Sequence, residues 1–180
     1  IAFRHPRKVA FFPRSTFLTR AIISPDSRLA HFLREVIEMK IRNILATKGA
    51  TVITIHPEQT LKEAVALLAG HRIGALVVVD ESGRLAGIIS ERDIIRKAAE
   101  KDIHLTLAVS EVMTEAVITG TPQDDPKSVL QTMTDRRFRH LPILEQGKLA
   151  GIVSIGDVVK AILDEYEGEI DTLQTQIIKG

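Results

Sequence analysis

One stretch of this chain is written twice. Gly87-Ile88-Ile89-Ser90-Glu91-Arg92-Asp93 matches Gly151-Ile152-Val153-Ser154-Ile155-Gly156-Asp157 at an offset of 64 residues. Upstream, His71-Arg72-Ile73-Gly74-Ala75-Leu76 matches Arg136-Arg137-Phe138-Arg139-His140-Leu141 at 65, and Ile41, Ile44 and Leu45 match Val109, Val112 and Met113 at 68. The offset drifts only at turn-like places. Asp80-Glu81-Ser82-Gly83 is one residue longer than Glu145-Gln146-Gly147, and the first copy carries three more residues around Lys48-Gly49-Ala50. Insertions confined to turns are what a structural duplication leaves, and a duplicated unit restricts the fold more tightly than composition can.

Each copy reads alike. A short strand (Thr51–Ile55, then Ala116–Thr119) ends at a Pro-containing turn. A helix follows over Thr60–Gly70, with Leu61, Ala64, Val65 and Leu68 at helical spacing; its counterpart spans Asp125–Arg136. Next comes a hairpin, Leu76–Val79 into Leu85–Ile89 and Leu141–Leu144 into Leu149–Val153, and a closing helix, Glu91–Lys101 and Gly156–Glu167. A β-α-β-β-α unit of about 60 residues buries too little surface to stand comfortably alone. Strands that are continuous aliphatic runs also need cover on both faces. The expected fold class is therefore α/β (α+β), with repeats at 39–104 and 105–168 packed about an approximate twofold axis. A last helix, 169–180, sets Ile170, Leu173 and Ile177 on one stripe, expected to dock on the other copy or on a second subunit.

The net charge of +1 hides a partition. Residues 1–40 hold eight basic and three acidic residues (+5), leaving 16 basic and 20 acidic (−4) in the remainder. Five of the six Phe also fall in the first 40. This basic, acid-poor leader, 1–38, has the composition of an organellar transit peptide. The other readings are upstream sequence ahead of a start at Met39, or a basic arm for nucleic acid or membrane. It is left out of the fold argument. With no cysteine there is no disulfide, thiol nucleophile or Cys-ligated zinc. Six His without an H-E-x-x-H spacing give no reason to expect a metal. No apolar run approaches the roughly 18–20 residues of a membrane span.

The ends Gly87–Asp93 and Gly151–Asp157, the strand entry Arg139-His140-Leu141-Pro142-Ile143, and Val112-Met113-Thr114 leading the second copy together resemble a pair of CBS (cystathionine-β-synthase) domains, the tandem called a Bateman module. The resemblance runs from Met39 to Glu167 and includes no catalytic domain. It implies a stand-alone pair that binds an adenosine-containing ligand (AMP, ADP, ATP, NAD or S-adenosylmethionine) in clefts between the copies, needs no metal, and often forms a disc-shaped homodimer.

Two readings apply to Ser90-x-x-Asp93 and Ser154-x-x-Asp157, each at a strand-to-helix passage. S-x-x-[DE] before an apolar run is a capping box. Yet the box favours the longer Glu, whereas both copies use Asp, whose carboxylate can accept from both hydroxyls of a ribose diol. The free N–H groups of the helix start beside it suit a phosphate. One residue can serve both roles. The copies differ where Arg92 faces Gly156 in the alignment and Gly74-Ala75 faces Arg139-His140. Arg92, Arg139 and His140 are expected to converge on a ligand phosphate, since guanidinium suits phosphate geometry. Gly74 and Ala75 would leave room for adenine or ribose, and Ile73 before them is a further candidate binding residue. For Arg136, Arg137 and Arg139 the competing reading is a solvated helix end that complements the dipole.

These residues support a nucleotide sensor that modulates an unidentified protein partner through ligand-dependent packing, which requires unequal affinity for two arrangements. An enzyme is not expected, because no nucleophile, base and orienting group can be assembled. Nucleic-acid binding through Arg136–Arg139 is the alternative, weakened because Phe138 is the only aromatic beside that cluster. The expected compartment is the cytoplasm, or an organellar matrix if 1–38 is a transit peptide.

Overall fold

A computed structural model describes residues 39–49, 51–99 and 104–179. The readings made for 1–38 lie outside them. The elements are α1 (Ile41–Lys48), β1 (Thr54–Ile55), α2 (Leu61–His71), β2 (Ala75–Val79), β3 (Leu85–Ser90), α3 (Glu91–Ala98), α4 (Pro126–Arg136), β4 (His140–Glu145), β5 (Lys148–Ser154) and α5 (Ile155–Lys179), with a single 3-10 turn at Val109–Glu111. Helices and short sheets together make the mixed α+β class expected. The described residues divide into two compact units: 51–99, 104–119 and 142–152 in the first, and 39–49, 120–141 and 153–179 in the second.

In the first unit β1 runs parallel to β2 (Thr54 opposite Val77), and β2 pairs antiparallel with β3 (Val77 opposite Ile88). Every residue of β2 is buried, as its unbroken aliphatic run requires. Thr60 starts α2 through a reciprocal box: its N–H donates to Glu63 at 2.8 Å, and the Glu63 N–H donates back to the Thr60 hydroxyl. Leu61, Ala64 and Leu68 of α2 close over Leu76, Val78 and Ile89. The lead of the second repeat completes this core. Val109 is fully buried in it, and Leu61 and Lys62 donate their N–H groups to Leu107 and Leu105. Ile88 and Thr114 exchange both backbone hydrogen bonds, at 3.0 and 2.9 Å. A Cβ at Gly87 would come within 2.6 Å of Met113 Sδ and 3.0 Å of the Thr114 carbonyl, so this close approach needs glycine.

The second unit mirrors the exchange. Here the lead of the first repeat, α1, joins α4 and α5: the Ile41 and Arg42 N–H groups donate to the carbonyls of Asp124 and Pro122. Ile41, Val129, Met133 and Val158 are buried in this unit. Asp125 caps α4 by accepting from the Ser128 N–H at 2.8 Å, with Pro126 in the first turn, where its missing donor does no harm. Lys127 ties α4 to α5 through Glu165 at 3.4 Å and the Tyr166 ring at 4.8 Å.

Two expectations fail. Residues 116–119 are in no strand; among the described residues the second sheet consists of β4 and β5. Val117-Ile118-Thr119 has strand composition, but a strand also needs a hydrogen-bonded neighbour, which local sequence does not supply. Similarly, the closing helix of the second repeat and the separate helix 169–180 are one 25-residue helix, α5. Gly168 lies inside it, because one glycine costs about 1 kcal/mol relative to Ala, too little to end a helix that packs elsewhere along its length.

Candidate functional site

Both repeats bring a strand directly into a helix, and both make the same junction. In the first unit Ser90 ends β3 and caps α3. Its N–H and hydroxyl donate to Asp93 Oδ2 at 2.9 and 2.5 Å, and the Asp93 N–H donates back to the hydroxyl at 3.4 Å. In the second unit the Ser154 N–H and hydroxyl donate to Asp157 Oδ2 at 2.7 and 2.8 Å, with the return bond at 3.1 Å. Capping is therefore present in both copies. The shorter Asp reaches back without difficulty, contrary to the expectation that the box disfavours it; half-buried positions at the helix start hold it close. Capping nevertheless uses only one oxygen of each carboxylate. Among the described residues neither Oδ1 accepts a hydrogen bond, and neither is sealed from solvent.

A second backbone bond sets what stands beside each box. The Glu91 N–H donates to the Gly74 carbonyl at 3.1 Å, and the Ile155 N–H to the Arg139 carbonyl at 2.9 Å. These equivalent bonds bring Gly74 to Ser90–Asp93 and Arg139 to Ser154–Asp157. Ala75, opposite Ser90 in the sheet, completes the first junction together with half-buried Arg92. Half-buried His140 begins β4 at the second. Ile73 packs against the first core, and its N–H donates to Leu68. Arg92 thus stands in the first unit, and Arg139 and His140 in the second.

The arginine cluster is resolved residue by residue. Arg136 ends α4, and Arg137 is its left-handed cap at φ 58°, matching Arg72 at φ 54° after α2. Arg139 lies beyond the helix, exposed, its side chain making no hydrogen bond or ion pair among the described residues. Next to Asp157, a Cβ at Gly156 would sit in ordinary van der Waals contact with Ser154 Oγ, at 3.6 Å, so this glycine relieves no clash.

Sequence reasoning missed Lys48. From the end of α1, 109 residues away, its ammonium donates to Asp157 Oδ2 at 2.5 Å. Burial pushes the Asp157 carboxyl up, but the bonds from Lys48 and Ser154 and the Lys48 charge outweigh it and hold it below its ordinary value. Lys48 lies in the extra residues of the first repeat's lead, so the second repeat has no equivalent of it, and among the described residues Asp93 has no ion-pair partner. The signal was present: matched leads that pack on the opposite repeat would have carried Lys48 to the second junction.

The CBS-domain family model matches residues 41–100 and 109–164. The mitochondrial CBS domain-containing protein CBSX3 of Arabidopsis thaliana is 36% identical over 149 residues, covering 78% of this chain and 72% of that protein. The crystal structure of the CBS-domain containing protein ATU1752 from Agrobacterium tumefaciens is 40% identical with a TM-score of 0.67, covering 68% of this chain and 98% of its own. The CBS domain pair of protein MJ0100, in complex with 5′-methylthioadenosine and S-adenosyl-L-methionine, is 27% identical with a TM-score of 0.63, covering 71% and 98% respectively.

Proposed function

The chain belongs to the CBS-domain family, and from that premise we propose that it is a regulatory module binding an adenosine-containing ligand at its strand–helix junctions. The observation that carries this reading is the pair of capping carboxylates, each with its second oxygen uncommitted and open to solvent at a helix start. Asp93 and Asp157 accept the ribose hydroxyls. Arg92 serves a phosphate at the first junction and Arg139 and His140 serve one at the second, and the small Gly74-Ala75 pair of the first admits the base or sugar. The adenosyl compounds in the MJ0100 complex support this class of ligand. Occupancy regulates a protein partner by favouring one arrangement of the module over another.

Thermal denaturation of the full chain with AMP, ATP, NAD and S-adenosylmethionine tests the reading. A ligand at 100 times its Kd stabilises by about 2.7 kcal/mol, a rise of roughly 5–10 °C for a chain of this size. No rise with any of the four overturns it.

The chain acts as a homodimer in this reading. Val159, Leu163, Tyr166 and Ile170 are exposed on α5 at alternating spacings of four and three, the seam of a two-helix coil, in line with the stripe expected at its end. The side chains of Leu173 and Ile177 lie outside the described residues. Sedimentation of Leu163→Glu as a monomer against a dimeric parent supports this; a monomeric parent overturns it. The mitochondrial relative is compatible with the organellar alternative to the cytoplasm.

A further inference from the structure

The two junctions share a box, and of the cations that distinguish them Lys48 alone, among the described residues, bonds to the box carboxylate of the second, which bears on the ligands that junction accepts. Asp157 Oδ2 takes three donors, the Ser154 N–H, the Ser154 hydroxyl and the Lys48 ammonium, where Asp93 Oδ2 takes two. A carboxylate crowded and neutralised in this way is a weaker acceptor for a ribose diol than one held by its box alone. To regain its strength the ammonium must move away. Lys48 can do so: it ends α1 on a flexible four-carbon stem, half-exposed, and Gly49 follows with no side chain and φ 91°. Gly156, which carries no side chain, and the exposed Arg139 lie at the same junction.

We propose that Lys48 is a specificity-determining residue that makes the second junction select phosphorylated adenosine ligands over adenosine itself. A nucleotide brings a phosphate that receives the displaced ammonium, whereas a nucleoside displaces it and offers nothing in return. This rests on the assignment of Asp157 to the ribose.

The test uses calorimetry of the full chain with two probes, AMP and adenosine. Asp93→Asn silences the first junction while keeping its shape, and Lys48→Met keeps the stem and removes the charge. Adding Lys48→Met to Asp93→Asn is expected to weaken AMP and tighten adenosine, each by about two- to fivefold, the range of a half-exposed ion pair. Movement of both affinities in the same direction, or of neither, overturns the assignment of Lys48. Lys48→Gln, with melting curves on every variant, separates an affinity change from a folding defect. If the parent binds neither probe, the selection assigned to Lys48 has failed; the ribose assignment falls with it only if ATP, NAD and S-adenosylmethionine also leave the melting temperature unchanged. If the parent binds and only the opposed response is missing, the failure belongs to Lys48 alone.

Discussion

The first and second junctions share one frame and differ in the charges set around it. Each has a serine cap, an aspartate that returns the bond, and an N–H to the carbonyl preceding the adjacent strand. Around that shared frame the charges are rearranged. The first has Arg92 beside Asp93 and small residues at 74 and 75; the second has Gly156 beside Asp157, Arg139 and His140 at the strand entry, and Lys48 delivered from α1. Duplication preserved the backbone hydrogen bonds, which hold the fold, and freed the side chains facing solvent to diverge. The difference teaches that repeat symmetry in such a chain predicts scaffold, not ligand.

The largest expected effect falls on the cations. Arg92→Ala and Arg139→Ala should each weaken AMP by roughly tenfold or more, since hydrogen bonds to charged groups contribute about 1.5–3 kcal/mol. Calorimetry reads it, and unchanged affinity in both variants breaks the idea that each junction supplies its own phosphate-binding cation. Next, Gly87→Ala should destabilise the fold by about 1–3 kcal/mol, the usual range for overpacking, because its Cβ is driven toward the Thr114 carbonyl. Urea unfolding with no loss of stability would show that the second repeat's lead gives way readily. Ser90→Ala and Ser154→Ala should each cost about 0.5–2 kcal/mol through the lost cap. Equal losses keep the two boxes equivalent; a clear inequality in urea midpoints breaks that.

The smallest effect is on acid stability. Asp157 has a folded-state pKa below its ordinary value, so its contribution is complete above the unfolded pKa and is lost as pH falls through the folded one. Lys48→Met should reduce that acid-dependent loss below about pH 4, by no more than about 1 kcal/mol for a half-exposed pair. Identical acid melting curves for parent and variant would show that the pair does not contribute.

Much of this was legible in the chain. The hairpins, α2, α4 and both boxes follow from local patterns: aliphatic runs, helical spacing, and cap residues in place. Thr60 and Asp125 announce their helices because capping is satisfied within four residues. What local pattern could not supply was any partner far along the chain. Ala116–Thr119 had strand composition without a paired strand among the described residues, and the two helices expected over 156–167 and 169–180 are one.

The amino-acid sequence by itself determined the duplication, the order of helices and strands within each copy, and the placement of serine and aspartate where strand becomes helix. Those rest on interactions a few residues long. Only the tertiary structure decided that the lead of each repeat completes the core of the other, burying Val109 in one unit and Ile41 in the second. It also decided that Lys48 meets Asp157. Contacts between residues about a hundred positions apart depend on which hydrophobic surfaces find cover. That choice is made by packing, after local structure has formed.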